Sequence, residues 1–116
     1  QGIAVTSFSP LARGWLSGNK DRRSAVDAYY NRNYGDALDL EIIAKVEAIA
    51  EEHGTTMAQV ALAWVYSKTA ICCPIVTAGS VDQLDKNVEA LDIELTQDEI
   101  ESVNAHICVT VFISKP

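Results

Sequence analysis

The sequence predicts an α/β fold built on parallel strands, and three observations carry that prediction. Two short runs rich in apolar and β-branched residues, Ile3 to Phe8 and Ala70 to Val76, read as strands. Between and after them lie segments with helical periodicity, three of which open on a side-chain cap. Strands that alternate with helices are joined by right-handed crossovers and pair in parallel. Two such strands leave their outer edges unpaired, so the pattern wants more strands than these and reads as a piece of a larger α/β protein. The opening on Gln1 rather than Met, straight into the first run, fits the same expectation.

Taken in order, Ile3 to Phe8 (IAVTSF) is a buried strand that stops at Ser9-Pro10. From Ser9 to about Asp36 the chain is rich in Gly, Ser, Asn, Arg and Tyr without a sustained period. It reads as one long functional loop with a turn or two of helix around Ala25 to Asn31. Leu40, Ile43, Val46 and Ile49 or Ala50 then recur at helical spacing until Gly54 stops the pattern, which predicts a helix from Asp39 to His53. Thr56-Met57-Ala58-Gln59 is a capping box, and Met57, Val60, Ala61, Trp64 and Val65 form the apolar stripe of the helix that it opens. Ala70 to Val76 is almost wholly apolar, as expected of a strand covered on both faces. Ser80-Val81-Asp82-Gln83 caps a third helix, whose Leu84, Val88 and Leu91 are expected to face a core. Thr96-Gln97-Asp98-Glu99 opens a fourth, with Ile100 and Val103 inward.

Composition bounds the function classes. The 116 residues are 48% hydrophobic and 22% charged, which describes one globular domain at most. Nine Lys and Arg against sixteen Asp and Glu give a net charge of −7, so nucleic acid and anionic membranes are not expected partners. No apolar stretch approaches the ~20 residues of a spanning helix, and no targeting segment is visible, so a soluble, cytoplasmic chain is expected. Cys72, Cys73 and Cys108 read as small buried hydrophobes rather than a disulfide framework. His53 and His106 sit in no ligand spacing, so no metal site is predicted, and each reads as a helix-end surface residue. Trp64 and Met57 belong to the core, and the acidic pairs Glu51-Glu52 and Asp98-Glu99 to solvated faces and a helix start.

Four segments in order carry a family resemblance. Ser9-Pro10-Leu11-Ala12-Arg13-Gly14-Trp15-Leu16-Ser17-Gly18 resembles the S-P-L-A-x-G-x-L-x-G segment of the aldo-keto reductases. Met57 to Val65 (MAQVALAWV) is similar to that family's A-Q-V-A-L-A-W helix, and Pro74-Ile75-Val76 follows at the expected interval. Gln83-Leu84, Asn87 and Ala90-Leu91 match its Q-L-x-x-N-x-x-A-L segment. The nearest style is the aryl-alcohol dehydrogenase-like group, which also resembles the β subunits of voltage-gated potassium channels.

The resemblance implies an incomplete (β/α)8 TIM barrel. Residues 1–105 would be its C-terminal portion, with Ile3 to Phe8 as strand seven and Ala70 to Val76 as strand eight, followed by a divergent tail, His106 to Pro116. It also implies NADP(H) as cofactor and a parent protein that reduces aldehydes or ketones to alcohols by hydride transfer. A cofactor-binding regulatory subunit of the channel-β type is the alternative. Phosphate in such barrels is commonly held by the loops after strands seven and eight, and a helix N-terminus there can receive an anion even on an acidic protein. Carried over position by position, Ser9, Pro10, Leu11, Ala12 and Arg13 would run along the pyrophosphate. Gly79, Ser80 and Gln83 would lie near the ribose 2′-phosphate, and Asn87 would meet the adenine. Lys20 and Arg22 or Arg23 lie in the long loop as further phosphate contacts. Thr77 stands where many members have Gly, Gly79 where many have Ser, and Gln83 where some have Arg. The family's acid, a Tyr assisted by Lys, Asp and His, has no counterpart here, since Tyr29, Tyr30, Tyr34 and Tyr66 match no such position. No catalytic residue is therefore assigned, and the 116 residues alone are expected to be inactive.

Overall fold

The computed structural model describes residues 3–18, 37–70 and 73–105. Two 3-10 segments, Ala12–Ser17 and Ala90–Asp92, and four α-helices are found among them. The helices are α1 (Ala37–His53), α2 (Met57–Tyr66), α3 (Val81–Glu89) and α4 (Gln97–Asn104).

Local chemistry sets the helix boundaries. At the end of α1 the Gly54 N–H donates to Glu51 O (3.2 Å) and the Thr55 N–H to Ala50 O (2.9 Å), with Gly54 at φ 62°. This is a Schellman closure, and it needs the left-handed residue that glycine supplies without strain. Two residues later Thr56 caps α2. Its hydroxyl accepts from the Gln59 N–H (3.3 Å), while Gln59 Oε1 accepts from the Thr56 N–H (3.0 Å). Thr96 and Glu99 repeat the reciprocal arrangement at α4, and Ser80 caps α3 through the Gln83 N–H.

Helix α2 is the hub, packed against α1, α3 and both 3-10 segments. Val60, Ala61, Leu62, Ala63 and Val65 are all buried, so α2 is covered on more of its circumference than the stripe read from its sequence. Val46, Ile49 and Ala50 of α1, Val60 of α2 and Val103 of α4 form one core cluster. Leu16, Ile42, Met57, Trp64 and Leu95 pack against it, which places Met57 and Trp64 at the margin of the core. At the far end of α2, the Lys68 ammonium lies 4.2 Å from the Trp64 ring centroid, and both side chains donate to Asn104 Oδ1.

Several expectations are corrected. Ile3 to Phe8 and Ala70 to Val76, expected as parallel strands, form no strand among the described residues, and Ile71 and Cys72 lie outside these. The two segments do run side by side in parallel, bridged at Phe8 and Ile75, with the Ile75 N–H donating to Ser7 O (2.9 Å) and the Val5 N–H to Ala70 O (3.1 Å). Ile3, Val5, Phe8 and Ile75 are exposed, whereas parallel strands are stable when neighbours pair their edges and helices cover their faces. For the same reason Leu84, Val88 and Leu91 face solvent rather than a core, and Leu40 is exposed too. Cys73, expected to be buried, is exposed. Cys72 and Cys108, the helical turns around Ala25 to Asn31, and the tail His106 to Pro116 lie outside the described residues. No helix among the described residues is long and apolar enough to cross a membrane, and they contain no cluster able to hold a metal ion.

Candidate functional site

Two loops leave the parallel pair. Since Phe8 and Ile75 are bridged in parallel, the segment after Phe8 and the segment after Ile75 depart from the same end. The first carries Ser9 to Arg13 and the second Gly79 to Gln83.

The first loop has an unusual backbone. Ser9 (φ 57°), Ala12 (φ 47°) and Arg13 (φ 56°) all lie at positive φ, and Gly14 follows at 108°. A non-glycine residue held in the left-handed region costs about 1–2 kcal/mol, so three in five positions must be imposed by their surroundings. The constraints are visible. The Ala12 N–H donates to Ser9 O (2.9 Å), the Gly14 N–H to Leu11 O (2.9 Å), and the Ser17 hydroxyl to Gly14 O (2.8 Å). Leu16 packs against the core cluster, and the 3-10 segment lies on α1 and α2. Ser9 to Leu16 are half-buried, so the loop is a fixed, partly covered ledge.

The second loop ends at the start of α3. Gln83 Oε1 accepts from the Gly79 N–H at 2.7 Å, and the Gln83 N–H donates to Ser80 Oγ at 3.2 Å. A side chain at residue 79 would meet Gln83 Oε1 at 3.3 Å, a tight contact, so glycine suits this close approach. The N–H groups of Val81 and Asp82 lie in the first turn, where helix donors lack intrahelical partners. Asp82 sits in that turn as well and pairs with Lys86 at 2.8 Å. Hydrogen bonding to Asp82 and its charge hold the Lys86 ammonium above its usual range. That pairing offsets the carboxylate at the positive end of the helix. Asn87, one turn beyond Gln83, is half-buried.

Of the residues singled out in the sequence, Ser9, Pro10, Leu11, Ala12 and Arg13 thus form one ledge, and Gly79, Ser80, Gln83 and Asn87 one helix start. Lys20, Arg22 and Arg23 lie outside the described residues, as do Tyr29, Tyr30 and Tyr34, while Tyr66 is half-buried at the end of α2. Sequence reading missed the role of Gln59, the one buried polar residue among those described. Its place in the Thr56 capping box was legible, but its second bond, to Glu89 Oε2 at 2.9 Å, spans 30 residues and had no local signal.

The comparisons with known proteins agree with the motifs. The profile of the aldo/keto reductase family matches residues 1–107, and the chain belongs to that family. It is 30% identical over 111 residues to aldo-keto reductase str7 of Strobilurus tenacellus, covering 88% of this chain and 32% of that protein. It is 31% identical over 109 residues to probable aldo-keto reductase 1 of Glycine max, covering 88% and 31%. It is 34% identical over 116 residues to a probable voltage-gated potassium channel subunit beta of Arabidopsis thaliana, covering 88% and 35%. The chain therefore spans about a third of the length of these relatives. The family implies a (β/α)8 barrel.

Proposed function

We propose that the chain is the NADP(H)-binding C-terminal portion of an aldo-keto reductase whose whole reduces aldehydes or ketones to alcohols. The observation that carries the reading is the exit of the strained Ser9 to Arg13 ledge and the capped start of α3 from one end of the parallel pair. The donor set suits a dinucleotide phosphate: the first-turn N–H groups of Val81 and Asp82 at a helix N-terminus, with Arg13 on the ledge as the cation. Ser9, Pro10, Leu11, Ala12 and Arg13 hold the pyrophosphate; Gly79, Ser80 and Gln83 lie by the 2′-phosphate; and Asn87 meets the adenine. Lys20 and Arg23 add phosphate contacts from the long loop. The cofactor, when bound, supplies the hydride that a carbonyl carbon accepts. This chain's own residues orient and anchor it, and none is assigned to proton transfer.

The exposed faces of Ile3, Val5, Phe8 and Ile75 and of Leu84, Val88 and Leu91 are where further β/α units of a barrel would seat. A second reading, a cofactor-binding regulatory subunit, rests on the similarity to the Arabidopsis channel subunit. The test is titration of NADPH fluorescence with the purified chain, with circular dichroism to establish that it is folded. Saturable binding that weakens in Arg13→Gln, together with no aldehyde-dependent loss of NADPH absorbance, is the expected result. A folded chain that leaves the fluorescence unchanged would reject the cofactor reading. Aldehyde-dependent oxidation by these 116 residues would reject the inactivity.

A further inference from the structure

Helix α3 presents an odd balance of contacts. None of its own residues is buried, and Val81, Leu84 and Val88 face solvent. What ties it to the hub lies at its C-terminal end: Ala90, buried just past the helix, and the hydrogen bond from Gln59 Nε2 to Glu89 Oε2 at 2.9 Å. Gln59 is only 7% exposed and its carbonyl oxygen is engaged by the Thr56 N–H (3.0 Å) and hydroxyl (2.9 Å). Its amide is thereby fixed by α2's own cap before it reaches across to α3.

We propose that Gln59 and Glu89 are positioning residues that aim the start of α3, and with it the Gly79, Ser80, Gln83 group, at the phosphate of the bound dinucleotide. This rests on the cofactor reading given above. The leverage is geometric. Ser80 is nine residues from Glu89, about 13 Å at a helical rise of ~1.5 Å per residue. A tilt of about 10° about the anchored end moves Ser80 by roughly 2 Å, enough to spoil a hydrogen-bonded phosphate site in which errors of about 1 Å matter. The Gln59–Glu89 bond is directional and its donor is locked by the α2 cap, so it restrains that tilt together with the packing of Ala90. Glu89 touches no cofactor in this arrangement and acts only through the helix.

The sign of the effect separates positioning from charge. Glu89→Ala removes a negative charge, so on charge alone NADPH would bind no more weakly; loss of positioning makes it bind about five- to tenfold more weakly. Glu89→Gln removes the same charge but keeps an acceptor for Gln59, and is expected to bind at least as well as the unmodified chain. Gln59→Glu keeps the Thr56 cap but sets two carboxylates face to face, and is expected to weaken binding. Adding Glu89→Gln to Gln59→Glu restores one donor and one acceptor with the original net charge, and is expected to recover affinity. Hydrogen exchange at the Gln83 and Leu84 amides, read without cofactor, should speed up in Glu89→Ala and Gln59→Glu and return in the double variant. Unchanged exchange and unchanged affinity in Glu89→Ala overturn the proposal, as does tighter binding. If the unmodified chain binds no NADPH, the cofactor reading fails by itself, and with it the aim at phosphate, while the exchange data still decide whether the pair fixes α3.

Discussion

Two identical substitutions at residues of the same type, Leu62→Ala and Leu84→Ala, should differ severalfold in their cost. Leu84 belongs to a stripe read as core-facing, whereas Leu62 lies off the stripe read for its helix. Leu62 is 0% exposed in the hub helix α2, whereas Leu84 is 53% exposed on α3. Removing three carbons from a fully buried leucine forfeits roughly 2.4 kcal/mol of transfer energy, and the cavity left behind raises the cost to about 3–5 kcal/mol. At Leu84 about half of the transfer energy is at stake and no closed cavity forms, so the cost is about 1 kcal/mol. In a domain of this size 1 kcal/mol moves the melting temperature by roughly 4 °C. Thermal unfolding followed by circular dichroism should therefore place Leu84→Ala within several degrees of the unmodified chain and Leu62→Ala more than about 12 °C below it. Comparable losses in both variants would refute the reasoning, because they would mean that the α3 stripe is covered.

Two further expectations concern the helix ends. Burial pushes the Glu99 carboxyl up, but hydrogen bonds from the Thr96 N–H and hydroxyl and from His53 outweigh it and hold the group below its ordinary value near 4.5. The unfolded chain then binds the proton more readily, so this stabilisation is present above the ordinary value and is lost as pH falls through the lowered one. Urea midpoints measured from pH 6 down to pH 3 (~0.5 unit steps) should fall less steeply in Glu99→Gln than in the unmodified chain, and parallel curves would show that Glu99 makes no such contribution. At Gly54 (φ 62°) a side chain meets nothing within 4 Å, so Gly54→Ala isolates backbone strain and should cost about 1 kcal/mol; an unchanged melting temperature would contradict the left-handed closure of α1.

Local signals were legible wherever the physics is local. Thr56 with Gln59 and Thr96 with Glu99 close the capping boxes written in their spacing, Ser80 caps α3, and Gly54 ends α1. The family resemblance carried by the four motif segments agrees with the family match over residues 1–107. The candidate ledge was legible as a motif, but its three positive-φ residues were not: serine, alanine and arginine carry no preference for that region, and packing of Leu16 with the turn hydrogen bonds imposes it.

What the sequence could not settle was which apolar surfaces are covered. Periodicity shows that Leu84, Val88 and Leu91 share a face of a helix and that Ile3 to Phe8 suits a strand, but not whether a neighbour lies against them. Burial and strand pairing depend on other elements, distant in the chain or beyond these residues, and only the tertiary structure decided them. It left those faces in solvent, paired the two segments in parallel with no strand formed among the described residues, and brought Gln59 to Glu89 across 30 residues. The sequence by itself determined the family and the helix starts, which are fixed within a few residues of chain. The tertiary structure decided the orientation of α3, since that is set by contacts no local pattern encodes.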